Sequence, residues 1–342
     1  MGFAVSIIIP VFNAEKFILK CLESILKQTF IDYEVVLIND GSTDSSEEII
    51  KSFIEEKSNW TLVTKVNEGV AVARNVGLEK SRGNYITFID ADDFVEANYL
   101  EKLYNSFSIN NCNLSCCGYY DHSIYGVSKL NNYKNYSDKT IGVDEFIKLL
   151  FSQIGGVLWD KMFDARIIKE NKIQMNLEVY FYEDSIFILD YLNYTDKIRI
   201  IDEPLYNYNR INEISFTSKI DYSWKENVKN YNQILPVKLR LLKCDENTIK
   251  SIVVKNIWNY IFTIFLYKLG NYSLTKQYTI VTDMVSDSYL KVNYLSESKR
   301  NIEKPFRLFY KYQMVTSIIV YAFILRCTKA LLNEIKTKLK RR

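Results

Sequence analysis

The amino-acid sequence predicts an α/β protein built on a mostly parallel, Rossmann-like β-sheet with helices on both faces, followed by a helical C-terminal region. Three patterns support this prediction. Short apolar runs alternate with amphipathic segments through the first hundred residues. These runs are apolar at every position, as is typical of strands that are buried on both faces of a parallel sheet. Beyond about residue 221 the sequence shows no further strand pattern.

The first four predicted strands are Val- and Ile-rich runs at residues 5–11, 33–38, 60–66 and 85–89. Helical patterns lie between them, at residues 17–26, from a cap at residue 44 or 45 toward residue 57, and at residues 69–81. Ligands of such sheets bind at the carboxyl ends of the strands. Polar clusters follow all four strands, at residues 13, 39–40, 67–68 and 90–93.

The rest of the chain divides into a less regular middle and a helical end. We predict a strand at residues 113–120, a polar, tyrosine-rich loop at 125–138, and helices at 143–151 and 178–193. From these changes in character we expect three segments, at residues 1–115, 116–215 and 216–342.

The composition excludes several classes of site. Among 342 residues there is one histidine, His122, so an HExxH motif and a two-histidine metal site are excluded. The six cysteines show no paired spacing, and we expect reduced thiols. No GxxxxGK[ST] motif is present and no GxGxxG follows the first strand, which argues against a P-loop NTPase and a dinucleotide dehydrogenase. An export signal is not apparent, because the apolar start lacks a basic region and is interrupted by proline.

The acidic cluster at residues 90–93 is a candidate metal site. Asp90 and Asp92 lie two residues apart where an apolar strand ends, so in a continuing strand both carboxylates would point to the same side. Together with Asp93 they offer the hard oxygen ligands that Mg²⁺ and Mn²⁺ prefer. The alternative is a solvated turn with a helix cap.

Two further charged residues have both a structural and a binding interpretation. Asp40 ends the second strand, where it serves either turn chemistry or hydrogen bonds to a bound base. Arg74 lies on a predicted helix of small residues. It forms either a surface salt bridge or a clamp on a diphosphate, because the guanidinium matches phosphate geometry.

The order of these motifs resembles that of glycosyltransferase family 2, which adopts the GT-A fold. The resemblance is carried by SIIIPVFN at residues 6–13, NDGSTD at 39–44, NEG at 67–69 with ARN at 73–75, Gly83, Tyr85, and IDADD at 89–93. It continues more loosely through VLWDKMF at 157–163, YED at 182–184 and PLYNYN at 204–209. The C-terminal third resembles no family that we can name.

The resemblance implies a role for each matching residue. Segment 1–115 would be the nucleotide-sugar-binding half of the GT-A domain, and segment 116–215 the acceptor-binding half. Asp90 and Asp92 would bind the metal and Asp184 would be the catalytic base, with Glu183 as the other candidate. The residues lining the nucleotide sugar would be Pro10, Phe12, Asn13, Glu15, Asp40, Asn67, Gly69, Arg74, Asp90, Ala91 and Asp92. Those near the donor sugar or acceptor would be Asp93, Trp159 and Lys161.

This chemistry agrees with the residue types. A divalent cation neutralises charge that develops on a diphosphate leaving group, and a carboxylate is a suitable base for an attacking hydroxyl. A single displacement of this kind inverts the anomeric configuration. For Glu183 and Asp184 the structural alternative is an acidic helix start, which the helix dipole favours.

The C-terminal tail is basic. Residues 302–342 hold ten Lys and Arg against two Glu, a net charge of +8, which leaves −5 for residues 1–301. The apolar run at 314–325 is too short for an ordinary membrane span. The sequence of the tail therefore predicts a basic amphipathic helix. The helix either lies on a membrane surface or packs on its own domain or on a second subunit.

From these observations we expect an inverting glycosyltransferase that uses Mn²⁺ or Mg²⁺ and a UDP-sugar. Its acceptor would be a hydroxyl of a glycan or of a lipid-linked molecule, in the synthesis of bacterial capsule, exopolysaccharide or another surface glycan. We expect it in the cytoplasm, peripheral on the inner face of the membrane, without a nucleic-acid partner, and we leave homo-oligomerisation open. The alternative is a catalytically silent nucleotide-sugar-binding scaffold or sensor.

Overall fold

The structure is a computed structural model that describes residues 2–340 except 110, 124–125, 131–137, 152–155, 211–221, 288 and 291–302. The chain forms two compact units, Met1–Ser218 and Lys219–Arg342. The segment boundary that we placed near residue 215 falls within residues 211–221, outside the described residues. The last two basic residues of the tail, at 341 and 342, also lie outside the described residues.

The described part of the first unit contains a sheet of ten strands. Their order is β3-β2-β1-β4-β9-β6-β10-β5, with β7 paired to β6 and β8 paired to β10. The strands are β1 Val5–Val11, β2 Tyr33–Asp40, β3 Trp60–Lys65, β4 Tyr85–Phe88, β5 Phe94–Val95, β6 Leu114–Ser123, β7 Gly126–Leu130, β8 Thr140–Ile141, β9 Lys161–Asp164 and β10 Ile198–Asn209.

The pairing of these strands places one edge of the sheet at the candidate site. Strands β3, β2, β1 and β4 are parallel to one another, and β6 is parallel to β10. Strand β9 runs antiparallel between β4 and β6. The carboxyl ends of β1, β2, β4, β6 and β10 therefore share an edge with the start of β9. Six of the ten described strands run in one direction, as the prediction of a mostly parallel sheet requires, but β5, β7, β8 and β9 run antiparallel to their neighbours and were not predicted.

Seven helices are described in the first unit: α1 Ile18–Leu26, α2 Ser46–Ile54, α3 Val70–Lys80, α4 Tyr99–Asn105, α5 Val143–Leu150, α6 Ala165–Glu170 and α7 Glu183–Leu192. Every residue of β1 and β2 is buried. Helix α1 packs through Ile18 and Leu22 on the face formed by Ile7 and Ile9. Helix α3 covers the opposite face so closely that a Cβ at Gly77 would lie 2.3 Å from Ile8 Cγ2. Helices thus cover both faces, which confirms the predicted fold class.

The second unit is helical throughout its described residues, which confirms the helical C-terminal region. Its helices are α8 Lys225–Leu241, α9 Glu246–Thr263, α10 Leu274–Ser286, α11 Glu303–Lys311 and α12 Val315–Lys340, with a π-helical turn at Ile264–Lys268. None of the described helices combines the length and the apolar character that a membrane crossing requires.

Two local expectations were wrong. Strand β4 ends at Phe88, so residues 90–93 form a turn and do not continue the strand. Within the loop predicted at 125–138, residues Gly126–Leu130 form β7 and pair with β6. The hairpin was missed because its strand is short and polar, and its formation depends on pairing with β6.

Candidate active site

The three aspartates in the turn after β4 differ in burial. The backbone amide of Asp93 donates to the carbonyl of Asp90 at 3.0 Å, which closes the turn. The side chain of Asp93 is 1% exposed and accepts hydrogen bonds from the Tyr206 hydroxyl and the Asn209 amide, both at 2.7 Å. The side chain of Asp90 is 29% exposed. Asp93 therefore anchors the turn, and Asp90 and Asp92 are the more accessible carboxylates.

Arg74 joins this turn to the start of α7. Its Nη2 donates to Asp90 at 3.0 Å, and its Nη1 donates to Glu183 at 3.0 Å and to Asp184 at 2.6 Å. Burial alone would lower the pKa of Arg74, but the charges of Asp184, Asp90 and Glu183 raise it overall. The surface salt bridge considered for Arg74 is wrong, because the residue is only 5% exposed. A contact with diphosphate stays a prediction.

Glu183 and Asp184 form an asymmetric pair at the start of α7. Burial, followed by the negative charge of Asp184, raises the pKa of Glu183 to about 8 despite Arg74. Burial also raises the pKa of Asp184, while Arg74 and a hydrogen bond from Glu183 counteract that rise. Burial thus raises the pKa of both carboxyl groups and Arg74 lowers it in both, and for Glu183 the net rise reaches about 8. Tyr182, directly before the pair, has a left-handed backbone with φ of 75°.

The carboxylates of the turn suit a divalent cation that takes its remaining ligands from a phosphate. Burial raises the pKa of Asp93 well above its usual range, and the neighbouring charges of Asp92 and Asp90 add to that rise. This mutual repulsion marks an excess of negative charge that a cation would relieve. Among the described residues no group of three or more His, Cys, Asp or Glu side chains is arranged to hold a metal alone. Mg²⁺ commonly takes one or two carboxylates and completes its shell with substrate phosphates and water.

The loops after β1 and β2 are bonded to one another at the same edge. Asn13, with a left-handed φ of 50°, accepts a hydrogen bond from the Thr43 amide at 2.8 Å. Glu15 accepts one from the Ser45 amide at 3.1 Å. Phe12 lies beside them with 49% of its surface exposed. These contacts form a rim that carries an exposed aromatic ring, while Pro10 is buried within β1.

Asp40 fixes the loop that enters α3. Its carboxylate, 3% exposed, accepts hydrogen bonds from the amides of Glu68 at 3.0 Å and Gly69 at 2.8 Å and pairs with Lys65 at 2.8 Å. Asp40 therefore has a structural role, but it holds the loop before α3 and not its own turn, where Asn39 accepts from the Ser42 amide at 3.0 Å. A contact of Asp40 with a base stays a prediction. Asn67 is exposed in the same loop.

Trp159 and Lys161 are buried at the start of β9. Lys161 is 0% exposed; its Nζ donates to Asp160 at 2.5 Å and to the Val157 carbonyl at 2.7 Å. Trp159 is 3% exposed and stacks on Tyr206 at a ring distance of 4.4 Å. A direct contact of Lys161 with a sugar disagrees with this placement, because its ammonium lies in the core and already has partners.

Sequence reasoning missed the residues that hold the acidic turn from β10. Tyr206 donates to Asp93 and accepts from the Asp90 amide at 3.1 Å, and the side-chain amide of Asn209 donates to the Asp92 carbonyl at 3.1 Å. The stretch PLYNYN at 204–209 was noticed as a motif. Its partners could not be inferred, because they lie more than a hundred residues away along the chain.

Comparison with known proteins agrees with this geometry. Residues 6–166 match the family model described as "Glycosyl transferase family 2". The chain is 28% identical over 229 residues to the uncharacterized glycosyltransferase EpsJ of Bacillus subtilis, over 64% of this chain and 65% of that protein. It is 32% identical over 238 residues to the minor teichoic acid biosynthesis protein GgaA of Bacillus subtilis, over 67% of this chain and 52% of that protein. The matched region thus spans less than two thirds of either relative.

Among solved structures, the chain resembles S. aureus TarS 1–349 in complex with UDP-GlcNAc, with a TM-score of 0.68 at 18% identity. The likeness covers 95% of this chain and 92% of that chain. At this identity it shows that the two chains share the GT-A fold.

Proposed function

From the match of residues 6–166 to the family model of glycosyltransferase family 2, we propose that the chain transfers a sugar from a nucleotide sugar to an acceptor hydroxyl. The observation that carries the proposal is the set of bonds made by Arg74. One buried guanidinium brings Asp90 of the acidic turn together with Glu183 and Asp184 of α7. The candidate metal ligand and the candidate base therefore converge on one point of the sheet edge, although about ninety residues separate them along the chain.

A UDP-sugar is the donor that we propose. It is supported by the rim formed by the loops after β1 and β2, and by the UDP-GlcNAc complex of the structurally similar TarS. Asp90 and Asp92 would hold Mn²⁺ or Mg²⁺. When bound, the ion would neutralise negative charge on the leaving diphosphate. The groups proposed to line the nucleotide sugar are Pro10, Phe12, Asn13, Glu15, Asp40, Asn67, Gly69, Arg74 and Ala91.

Asp184 is the proposed base. It would accept the proton of the acceptor hydroxyl while that oxygen attacks the anomeric carbon and the bond to the diphosphate oxygen breaks. One displacement on the face opposite the leaving group inverts the configuration. Glu183 would keep its own proton and hold Asp184 by a hydrogen bond, and Arg74 would fix the orientation of both carboxylates. The greater exposure of Asp184, 18% against 9% for Glu183, supports this assignment.

The acceptor that we propose is a glycan or a lipid-linked molecule in bacterial surface polysaccharide synthesis. The name of GgaA, a minor teichoic acid biosynthesis protein, supports a surface polymer. The basic tail supports action in the cytoplasm at the inner face of the membrane, where lipid-linked acceptors are presented.

The test is turnover of UDP-sugars with Mn²⁺, with Mg²⁺ and with a chelator. Asp92→Ala should lose the metal-stimulated activity. Asp184→Asn should lower transfer about 10²- to 10⁴-fold, the usual contribution of a general base, while UDP binding stays unchanged. Glu203→Gln, which alters a carboxylate on the surface, serves as the control and should keep full activity.

Two outcomes would contradict the assignments. Loss of transfer in Glu183→Gln but not in Asp184→Asn would make Glu183 the base. Tight UDP binding without turnover, over a broad panel of donors and acceptors, would favour the nucleotide-sugar-binding scaffold.

A further inference from the structure

Among the described residues, helix α12 packs one apolar face and exposes another. Its inner face buries Ile318 and Ala322, both 0% exposed. On its outer face Val320, Phe323 and Ile324 are 51%, 59% and 51% exposed. Residues three and four apart lie on the same side of a helix, so these three side chains form one continuous surface, here called the apolar stripe. Large apolar side chains grouped in this way mark an interaction surface.

The segment before α12 also exposes large apolar side chains. Leu308, Tyr312 and Met314 are 53%, 62% and 42% exposed, while Tyr310 between them is buried and donates to the Met284 carbonyl at 2.6 Å. Helix α11 is therefore held to α10 by one side and exposes apolar groups on another. The apolar stripe is thus one part of a larger exposed apolar region in the second unit.

The charge of the sequence around the apolar stripe identifies its partner. Residues 312–325 carry no charged side chain, whereas residues 326–342 hold seven Lys and Arg against one Glu. In a dimer of this chain that packs through the stripe, two such basic segments would come together and repel each other. An apolar stripe followed by a dense positive segment matches a surface that is apolar inside and negatively charged outside, which is an anionic lipid bilayer.

The structure favours a helix that lies along the bilayer surface. No described helix is long and apolar enough to cross it. We propose that α12 lies in the interface of an anionic membrane, with Val320, Phe323 and Ile324 inserted among the lipid chains. The positive charge that the sequence carries at 326–342 would attract the helix to anionic headgroups. The inference rests on the proposed function, because it supplies the site with a surface on which a lipid-linked acceptor is presented.

The experiment measures flotation of the full-length protein with vesicles of phosphatidylcholine, alone or mixed with phosphatidylglycerol. The wild type should float with the mixed vesicles and less so as salt rises, because added ions screen the attraction. The double variant Phe323→Ser, Ile324→Ser should bind the mixed vesicles about 30-fold more weakly, given the hydrophobic free energy of two half-exposed side chains. The variant Leu274→Ser, which changes an apolar residue of α10 that is 75% exposed, should bind as the wild type does.

A folding control and an activity control accompany the flotation. Phe323→Leu keeps an apolar group and should retain binding, which separates loss of the apolar stripe from misfolding. Equal vesicle binding by the wild type and the double variant would overturn the proposal. So would a wild-type dimer in light scattering that the double variant abolishes, because the stripe would then be a subunit interface. UDP-sugar turnover without vesicles is measured on the same proteins, and its absence would count against the proposed function alone.

Discussion

Replacing Arg74 by Met removes the guanidinium that bonds three carboxylates of the candidate site. The side chain is 5% exposed and donates to Asp90, Glu183 and Asp184 at distances of 2.6 to 3.0 Å. Removing one partner of a buried ion pair costs about 3–5 kcal/mol, because the remaining charges stay buried without compensation. Two of the three carboxylates are partly exposed here and regain some hydration. We therefore expect a loss of about 3 kcal/mol in the free energy of unfolding.

The loss in the free energy of unfolding should be larger at high pH than at low pH. The charge of Arg74 lowers the pKa of Glu183 and of Asp184 in the folded protein. Without it both pKa values rise, and the folded variant binds protons at a higher pH than the wild type does. Linkage between proton binding and folding then makes the difference in unfolding free energy between the wild type and Arg74→Met depend on pH. The difference is larger at about pH 8 than at about pH 5, where the unpaired carboxylates are protonated.

Urea unfolding at both pH values, followed by fluorescence, measures the effect, provided that the m-value is unchanged. Lys102→Met is the matched control, because Lys102 pairs with Glu203 at 2.6 Å while both are nearly half exposed; its cost should stay below about 1 kcal/mol. Adding Asp184→Asn to Arg74→Met should restore part of the loss, since it removes one uncompensated carboxylate. A loss below about 1 kcal/mol for Arg74→Met, or an equal loss at both pH values, would refute the reasoning.

Three further variants test the packing and the ion pairs. Gly77→Ala should cost about 1–3 kcal/mol in urea unfolding, because its Cβ would lie 2.3 Å from Ile8 Cγ2; an unchanged midpoint would show that helix α3 moves away freely. Ser6→Ala should cost about 1–3 kcal/mol, because the buried hydroxyl accepts from the Gly83 amide at 2.8 Å and donates to a buried glutamate; a near-neutral result would mean that water replaces it. Lysine partners lower the pKa of Asp287 to about 2, so Asp287→Asn should cost about 1 kcal/mol at neutral pH after allowance for solvent screening. That cost should vanish as the pH falls from about 4 toward about 2, and a cost that persists in acid would contradict the ion-pair origin.

The sequence was most informative where local pattern decides structure. The runs at residues 5–11, 33–38, 60–66 and 85–89 became β1 to β4 because strands that are buried on both faces must be apolar throughout. The polar clusters were correctly expected at one edge, since parallel strands end together. The carboxylates of the candidate site were recognisable because they occur in motifs. Their oxygens are the hard ligands that Mg²⁺ prefers, and a carboxylate can act as a base.

Tertiary contacts decided the arrangement of those candidates. Whether Asp40 faces a ligand or holds the loop that enters α3 depends on where the Glu68 and Gly69 amides lie, and the sequence does not give that position. The family resemblance placed Lys161 near the donor sugar or acceptor. The antiparallel insertion of β9 buried it beside Asp160.

The sequence by itself determined the fold class, the edge at which the site lies and the residue types available there. Those properties follow from periodicity and chemistry that a few neighbouring residues carry. Only the tertiary structure decided that Arg74 lies buried among the carboxylates of the candidate site, and that burial raises the pKa of Glu183 and Asp184. Only the tertiary structure left one apolar face of α12 exposed. These properties depend on burial and on distances between segments remote in sequence, and burial sets the free energy of a charge or an apolar surface.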